Sequence, residues 1–371
     1  MIERISILGT GLIGGSLALA WQQHSASCTI IGHDRPEVLE TADARGAIDE
    51  KAADPVTAVE EADLVVLATP LATSLRLLEA IASAVPPDAI VTDVGSVKQP
   101  VMDQAEDVLP DEVHFLGGHP MAGAERAGIE HATPHLFEAA TYALCPLADV
   151  PEEALDGPLA PAVEWIEATG AHPLSLDAEQ HDQLVARVSH LPQLLAVSLA
   201  NTVAGETDDD TEADLALQLA GGGFRDMTRI ASSPFSVWRD ILVGNERAIH
   251  DALGQFRRTL RGLRNRLLED DWDALEAAFE RAGIARDRIP ADAQGPLPST
   301  STIHVHASDE PGVLHELTGV LAENDLNVKG IALETPQKAQ GGTIQIGFAS
   351  PAEATAAVHA LDAAGYDASK A

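Results

Sequence analysis

Cysteine, lysine and long apolar runs are all scarce in this chain. The two cysteines, Cys28 and Cys145, form neither a disulfide framework nor a metal-ligand spacing. No metal site is expected, and a reducing cytoplasmic setting fits. No run of about 18 uncharged apolar residues occurs, so no transmembrane helix is expected. The opening MIERISILGTG passes directly into a strand pattern, so no secretory leader is expected. Lysine occurs only at Lys51, Lys98, Lys329, Lys338 and Lys370. Lys plus Arg number 23 against 58 acids, a formal charge of −35. Bulk attraction to nucleic acid or to an anionic membrane is therefore not expected. The acids are spread along the chain as on a solvated surface, which suggests a salt-rich cytoplasm that screens them. The melting temperature should then rise with added KCl; a maximum at low ionic strength contradicts that reading.

What is present suits two or three domains: 371 residues, 45% of them hydrophobic. From 1 to 174, short apolar runs (ISIL, TIIGHD, ADLVVLATP, AIVTDVGS, VHFLGG) alternate with helical spacing (LIGGSLALAWQQ, SLRLLEAIASAV). Strand–helix alternation implies a parallel sheet covered on both faces. From 175 to 290 the strand signal nearly vanishes. Ile249, Leu253, Phe256, Leu260, Leu263 and Leu267 form one stripe along a long helix, either internal packing or a dimer seam. RIPADAQGPLPSTS (288–301) reads as a linker. From 300 to 371 the pattern is β-α-β-β-α, a ferredoxin-like α+β module whose last strand, in YDASKA, is short or absent.

GTGLIGGS places Gly9, Gly11 and Gly14 in G-x-G-x-x-G spacing. It follows a strand and opens a helix, and the next strand ends at Asp34, the context a Rossmann-like dinucleotide site requires. Gly9 permits the turn, Gly11 admits the pyrophosphate, and Gly14 brings the helix against the sheet. The amides of Gly11, Leu12 and Ile13 open the helix toward the phosphates. Asp34 should accept the adenine-ribose hydroxyls and repel a 2′-phosphate, favouring NAD over NADP. Arg35 beside it is the counter-argument.

Ligands of such sheets bind beyond the carboxyl ends of the strands. ATPL (68–71, with Thr69 and Pro70), DVGSVK (93–98) and GGHPMAG (117–123) fall there. His119 sits in a turn that needs Gly or Pro but no imidazole. Beside a nicotinamide, neutral imidazole suits removal of an alcohol proton. Ser96 could hold its tautomer, and Lys98 either faces the same site or is a solvated charge. In the helical segment, His181 and His190 are not at a metal-ligand step, and Pro192 must kink or start a helix. GGGFRDMTRI sets Arg225 and Arg229 on one helical face, for an anion or for surface ion pairs.

GTGLIGGSLA, LATPL, DVGSVK, GGHPMAG, SHLPQ and GGGFRDMTRIA, in this order, resemble prephenate dehydrogenases. That family includes arogenate and cyclohexadienyl dehydrogenases. The resemblance covers nearly all of 1–290, and DEPGVLHELTGVL resembles an ACT domain. It implies an all-α helical dimerisation domain and a homodimer. It also implies NAD-dependent oxidative decarboxylation of prephenate to 4-hydroxyphenylpyruvate in tyrosine biosynthesis, or the arogenate (or dual-specificity) reaction. The resemblance places the catalytic histidine on His119 and its serine partner on Ser96. The arginine for the ring carboxylate falls on Arg229, and further pocket positions on His190, Glu125 and Trp238. For the ACT module it implies an effector, tyrosine or another aromatic amino acid, near Asp309, Gly312, Val313, Leu314 and Asn327. Gln193 departs from relatives that carry a second histidine there. A β-hydroxyacid dehydrogenase would need a lysine in the helical segment, and none lies between Lys98 and Lys329. A non-catalytic sensor joining dinucleotide and amino-acid binding would have no use for His119, Ser96 and Arg229 together.

Overall fold

The computed structural model describes residues 2–24, 28–122, 127–147, 155–205, 211–289, 301–307, 310–334 and 342–370. It divides into two compact units, Met1–Ala277 and Ala278–Ala371.

The first unit opens with β1 (Arg4–Leu8), α1 (Leu12–His24), β2 (Thr29–His33), α2 (Pro36–Ala44), β3 (Glu50–Lys51) and α3 (Pro55–Val59). It continues through β4 (Leu64–Leu67), α4 (Leu71–Ile81), β5 (Ile90–Asp93), α5 (Gln99–Val108) and β6 (His114–Pro120). Then come β7 (Thr141–Pro146), α6 (Ala160–Glu167) and β8 (His172–Ser175). One sheet results, in the order β3-β2-β1-β4-β5-β6-β7-β8. Strands β1 to β6 pair in parallel, β7 runs antiparallel to β6, and β8 parallel to β7.

Alternate residues of the central strands feed two cores. Leu64 and Val66 of β4 join Leu17 and Trp21 on one face, and Val65 and Leu67 join Leu78, Ile81 and Val101 on the other. Burial on both faces is what makes these strands apolar runs. Sequence reading missed β3, β7 and β8. Strand β3 is two exposed residues defined only by pairing with β2. Strand β8 is a largely exposed edge that tolerates Pro173 because no second neighbour needs its amide.

The helices follow: α7 (Ala178–Val185), α8 (Leu191–Ala204), α9 (Thr211–Gln218), α10 (Gly222–Thr228), α11 (Phe235–Gly244), α12 (Glu246–Leu268) and α13 (Trp272–Asp287). Helices α7 and α8 are joined by a π-helical turn, Ala186–His190, and Pro192 stands in the first turn of α8. Proline withholds an amide and crowds the preceding turn, so the ladder widens there rather than breaking. The sheet and most of the helices share the first compact unit. On α12 only Ile249 of the stripe is buried; Leu253, Leu260 and Leu267 are 37%, 54% and 57% exposed. Internal packing therefore does not account for the stripe. No helix among the described residues is long and apolar enough to cross a membrane.

The second unit contains β9 (Ser301–Ala307), α14 (Val313–Glu323), β10 (Val328–Glu334), β11 (Gly342–Phe348), α15 (Pro351–Ala363) and β12 (Asp367–Lys370). The antiparallel order β10-β11-β9-β12 completes the ferredoxin-like pattern. The last strand is present: four residues pair with β9, from Asp367↔His306 to Lys370↔Ile303. Ile303, Val305, Leu317, Ile346, Phe348 and Leu361 form its core. Most of the linker lies outside the described residues.

Candidate active site

The strand order reverses about β1, which is flanked by β2 and β4, so a crevice opens beyond their carboxyl ends. Gly9 turns there with φ of 104°, and a Cβ on it would lie 2.5 Å from the Ala68 carbonyl oxygen. A Cβ on Gly14 would lie 2.0 Å from the Gly9 oxygen, so only glycine lets α1 approach. A Cβ on Gly11 would meet nothing within 4 Å: the chain leaves that space open at the N-terminus of α1. Leu12 and Ile13 begin the helix there, and the buried Thr10 hydroxyl has no partner among the described residues. Asp34 accepts the Thr10 amide at 2.8 Å and the Arg35 amide at 2.7 Å, tying the acid to the glycine loop. Arg35 lies 3.9 Å from Asp34 and 3.4 Å from Glu37, so two carboxylates already face its charge. Thr69 and Pro70 lead into α4, with the Thr69 and Ser74 hydroxyls 2.8 Å apart. These residues fit a dinucleotide: an open cradle, helix amides for the pyrophosphate and an acid for the ribose.

Farther along the same edge, β6 ends in Gly117, Gly118, His119 and Pro120. A Cβ on Gly118 would lie 2.4 Å from the Asp93 carbonyl oxygen, and one on Gly117 2.6 Å from Met102 Sδ. The two glycines thus admit neighbouring backbone and side chain, and His119 is delivered buried, 7% exposed. Its Nδ1 lies 2.8 Å from His181 Nε2, and His181 Nδ1 lies 2.9 Å from Asp182 Oδ1. Burial above all, with the Lys98 ammonium adding to it, holds the His119 imidazole well below its ordinary pKa, so it is neutral near pH 7.

Ser96 does not hold that ring. It is half-buried in the loop after β5 and hydrogen-bonds no described residue, because His181 already occupies His119 Nδ1. Lys98 is neither solvated nor turned to the site. It is fully buried, paired with Asp93 and donating to the Gly118 carbonyl at 2.6 Å. Asp93 also accepts the Gly95 amide at 2.8 Å and the Gly118 amide at 3.1 Å. This cluster joins the ends of β5 and β6 and fixes the backbone beneath His119. Lys98→Met, which leaves Asp93 buried without its cation, should cost about 3–5 kcal/mol in chemical denaturation. A loss within about 0.5 kcal/mol, the range of an ordinary surface substitution, would show the pair to be incidental.

The helices close the other side. His190, at the end of the π-helical turn, is 1% exposed, and burial pushes its pKa down to about 4. Asn245 Nδ2 donates to the Asp182 carbonyl at 2.8 Å and lies 3.3 Å from His190 Nδ1. That amide assigns the His190 proton to Nε2, a buried atom with no partner among the described residues. Trp238 is half-buried, its ring 6.0 Å from His190 in an edge-to-face arrangement. Arg225, on α10, is exposed and forms no ion pair among the described residues. Arg229, also exposed, begins the 3-10 turn Arg229–Ser232, which Gln193 anchors by donating to the Ile230 carbonyl at 2.9 Å. Glu125 lies outside the described residues.

In the second unit Gly312 has φ of 104° and precedes α14, which begins Val313-Leu314. Leu314 and Asn327 are exposed. Asp309 lies outside the described residues.

Sequence reading missed His181 as a partner of His119, and missed Asp182 and Asn245 altogether. The signal was faint: an adjacent His-Asp pair in a helix that must pack against the histidine turn.

A dinucleotide cradle in line with a buried, neutral imidazole defines a nicotinamide-dependent dehydrogenase. Residues 17–172 match the family model described as prephenate dehydrogenase, nucleotide-binding domain, and 177–281 the model described as prephenate dehydrogenase, dimerization domain. A prephenate dehydrogenase of Bacillus subtilis is 34% identical over 365 residues, covering 98% of this chain and 96% of the relative. A cyclohexadienyl dehydrogenase of Zymomonas mobilis is 33% identical, covering 79% of this chain and 98% of the relative. The crystal structure of prephenate dehydrogenase from A. aeolicus, in complex with hydroxyphenyl propionate and NAD+, superposes with a TM-score of 0.70 at 29% identity. It covers 78% of this chain and 99% of its own. The chain belongs to the prephenate dehydrogenase family, and it is an NAD-dependent oxidoreductase.

Proposed function

We propose that the chain oxidatively decarboxylates prephenate to 4-hydroxyphenylpyruvate, with His119 as general base. The observation that carries this reading is a buried, neutral imidazole at the sheet edge that also holds the dinucleotide cradle. Bound NAD supplies the hydride acceptor. His119 accepts the proton of the ring C4 hydroxyl as the C–H bond electrons leave. Arg229 holds the ring carboxylate bidentately, loosely enough that neutral carbon dioxide can leave while the electron pair of the broken C1–carboxylate bond passes into the ring. His190, with its proton on Nε2, donates to a substrate oxygen. Trp238 lines the pocket beside it, and Glu125 and Arg225 are further substrate-binding residues. Ser96, in the loop after β5, hydrogen-bonds the substrate hydroxyl.

The test is dinucleotide reduction with prephenate and with arogenate in parallel, each with NAD and NADP. NADH and carbon dioxide in equal amounts from prephenate are expected. No reduction with either substrate overturns the reading. Arogenate differs by an amino for a keto group on the side chain. Gln193, which stands where many relatives have a second histidine, donates to the Ile230 carbonyl, and the parallel assay decides between the two substrates.

The exposed part of the α12 stripe supports a homodimer through the helices. The completed ferredoxin-like unit supports an ACT-type module that binds tyrosine or another aromatic amino acid around Gly312, Val313, Leu314, Asn327 and Asp309. Equal tyrosine inhibition of a chain ending near residue 295 would remove the module as receptor.

A further inference from the structure

His119 is the first member of a buried chain of three groups. Its Nδ1 is 2.8 Å from His181 Nε2, and His181 Nδ1 is 2.9 Å from Asp182 Oδ1. His181 is 1% exposed and Asp182 5%. The Asp182 carboxylate also takes two backbone amides, Lys98 at 2.8 Å on Oδ1 and Gln99 at 2.9 Å on Oδ2. Those amides open α5, whose unpaired N–H groups favour an anion.

With one proton on each imidazole, the accounting along this chain has one solution. A carboxylate only accepts, so the His181 proton sits on Nδ1 and its Nε2 presents a lone pair. His119 Nδ1 must then carry a proton, and its Nε2 is bare. We propose that His181 and Asp182 are a positioning dyad that locks His119 with Nε2 as the base and balances the charge it gains. This rests on the reading of His119 as general base.

The step balances without any further reactant. The hydroxyl O–H bond breaks and its proton forms a bond to His119 Nε2. The C4–H bond breaks and its electron pair leaves as hydride to the nicotinamide, while C4 and oxygen form the carbonyl. His119 is then an imidazolium that still donates Nδ1–H to His181.

The surroundings explain why a dyad is needed. The groups facing His119 are Lys98, with Asp93 behind it, His190 and His181. Burial and the Lys98 ammonium both oppose a cation there. The Asp182 carboxylate, reached through His181, supplies the counter-charge. Asp182 lies on α7, whereas Lys98, Gln99 and His119 belong to the sheet edge. The same carboxylate therefore registers the helices on the dinucleotide-binding layer.

Histidine-selective 15N NMR of the full chain reads the tautomer directly, with a His119→Gln spectrum identifying the relevant signals. Wild type should show Nδ1 protonated and Nε2 bare. His181→Gln, whose amide oxygen can accept the same proton, should keep that tautomer and keep kcat within roughly 10-fold, less than the full contribution of a general base. His181→Leu should mix the tautomers and lower kcat by roughly 100- to 1000-fold, with KM changed less than about 3-fold. A wild-type His119 protonated on Nε2, or a His181→Leu enzyme with unchanged kcat, overturns the proposal. If His181→Leu does not fold, the wild-type and His181→Gln spectra still decide. Absence of turnover with prephenate in wild type would instead remove the functional reading, and the tautomer measurement would stand apart from it.

Discussion

His119→Asn should lower prephenate turnover by roughly 100- to 10,000-fold, the contribution of a positioned general base. The substitution is chosen to leave the fold alone. Asparagine is smaller than the imidazole, and its amide can donate to His181 Nε2, so that buried acceptor is not stranded. What it lacks is a nitrogen able to take a proton. NAD affinity should be unchanged, because the cradle lies around Gly9, Gly11, Gly14 and Asp34, apart from His119 on β6. Fluorescence titration with NADH checks this beside the rate. A protein that only senses dinucleotide and amino acid would lose neither binding nor any response, so an unaltered rate or a lost cofactor would each count against the assignment of His119 as base.

Two glycines of one motif should respond in opposite ways. Gly11→Val should fold normally, because its Cβ, the first of three added carbons, enters open space. Stability should change by about 1 kcal/mol or less. The same carbon occupies the space left for the pyrophosphate, so NAD affinity should fall at least 100-fold, about 2.7 kcal/mol. Gly14→Ala should instead fail in the protein itself. Its Cβ would sit 2.0 Å from the Gly9 oxygen, and α1 would have to leave the sheet. Isothermal titration with NAD and thermal melting of both variants separate the two effects. Normal NAD binding by Gly11→Val would place the pyrophosphate elsewhere.

The contrast between these glycines also shows what the sequence makes legible. The cradle is written locally: one strand–turn–helix carries its glycines at fixed spacing, Gly14 against the Gly9 oxygen and Gly9 against Ala68 just after β4, and the acid that follows β2 completes the pattern. Strands β1, β2 and β4 to β6 were readable because burial on both faces makes them apolar runs. Strands β3 and β8 were not, because pairing defines them and their side chains remain largely exposed. His119 was conspicuous because a stretch of Gly and Pro that reads as a turn has no need of an imidazole, although the structure makes it the end of β6, paired with β7. Its partner was not, because His181 lies 62 residues away and only tertiary packing brings them together. Ser96 was expected in that place on proximity to the same sheet edge. Lys98 was misread for a related reason: sequence does not report burial, and its pairing with Asp93 depends on how the β5 end turns into α5. The module's last strand was doubtful because Asp367–Lys370 is short and polar, and its pairing with β9 supplies what its composition does not.

A crystal structure of the full chain with NAD and a 4-hydroxyphenyl substrate analogue tests the central claim most directly. His119 Nε2 should lie within about 2.6–3.2 Å of the analogue's ring oxygen, hydrogen-bond reach for a base, with the nicotinamide against the same ring. A His119 side chain turned into the core, with the analogue bound away from it, would contradict the account.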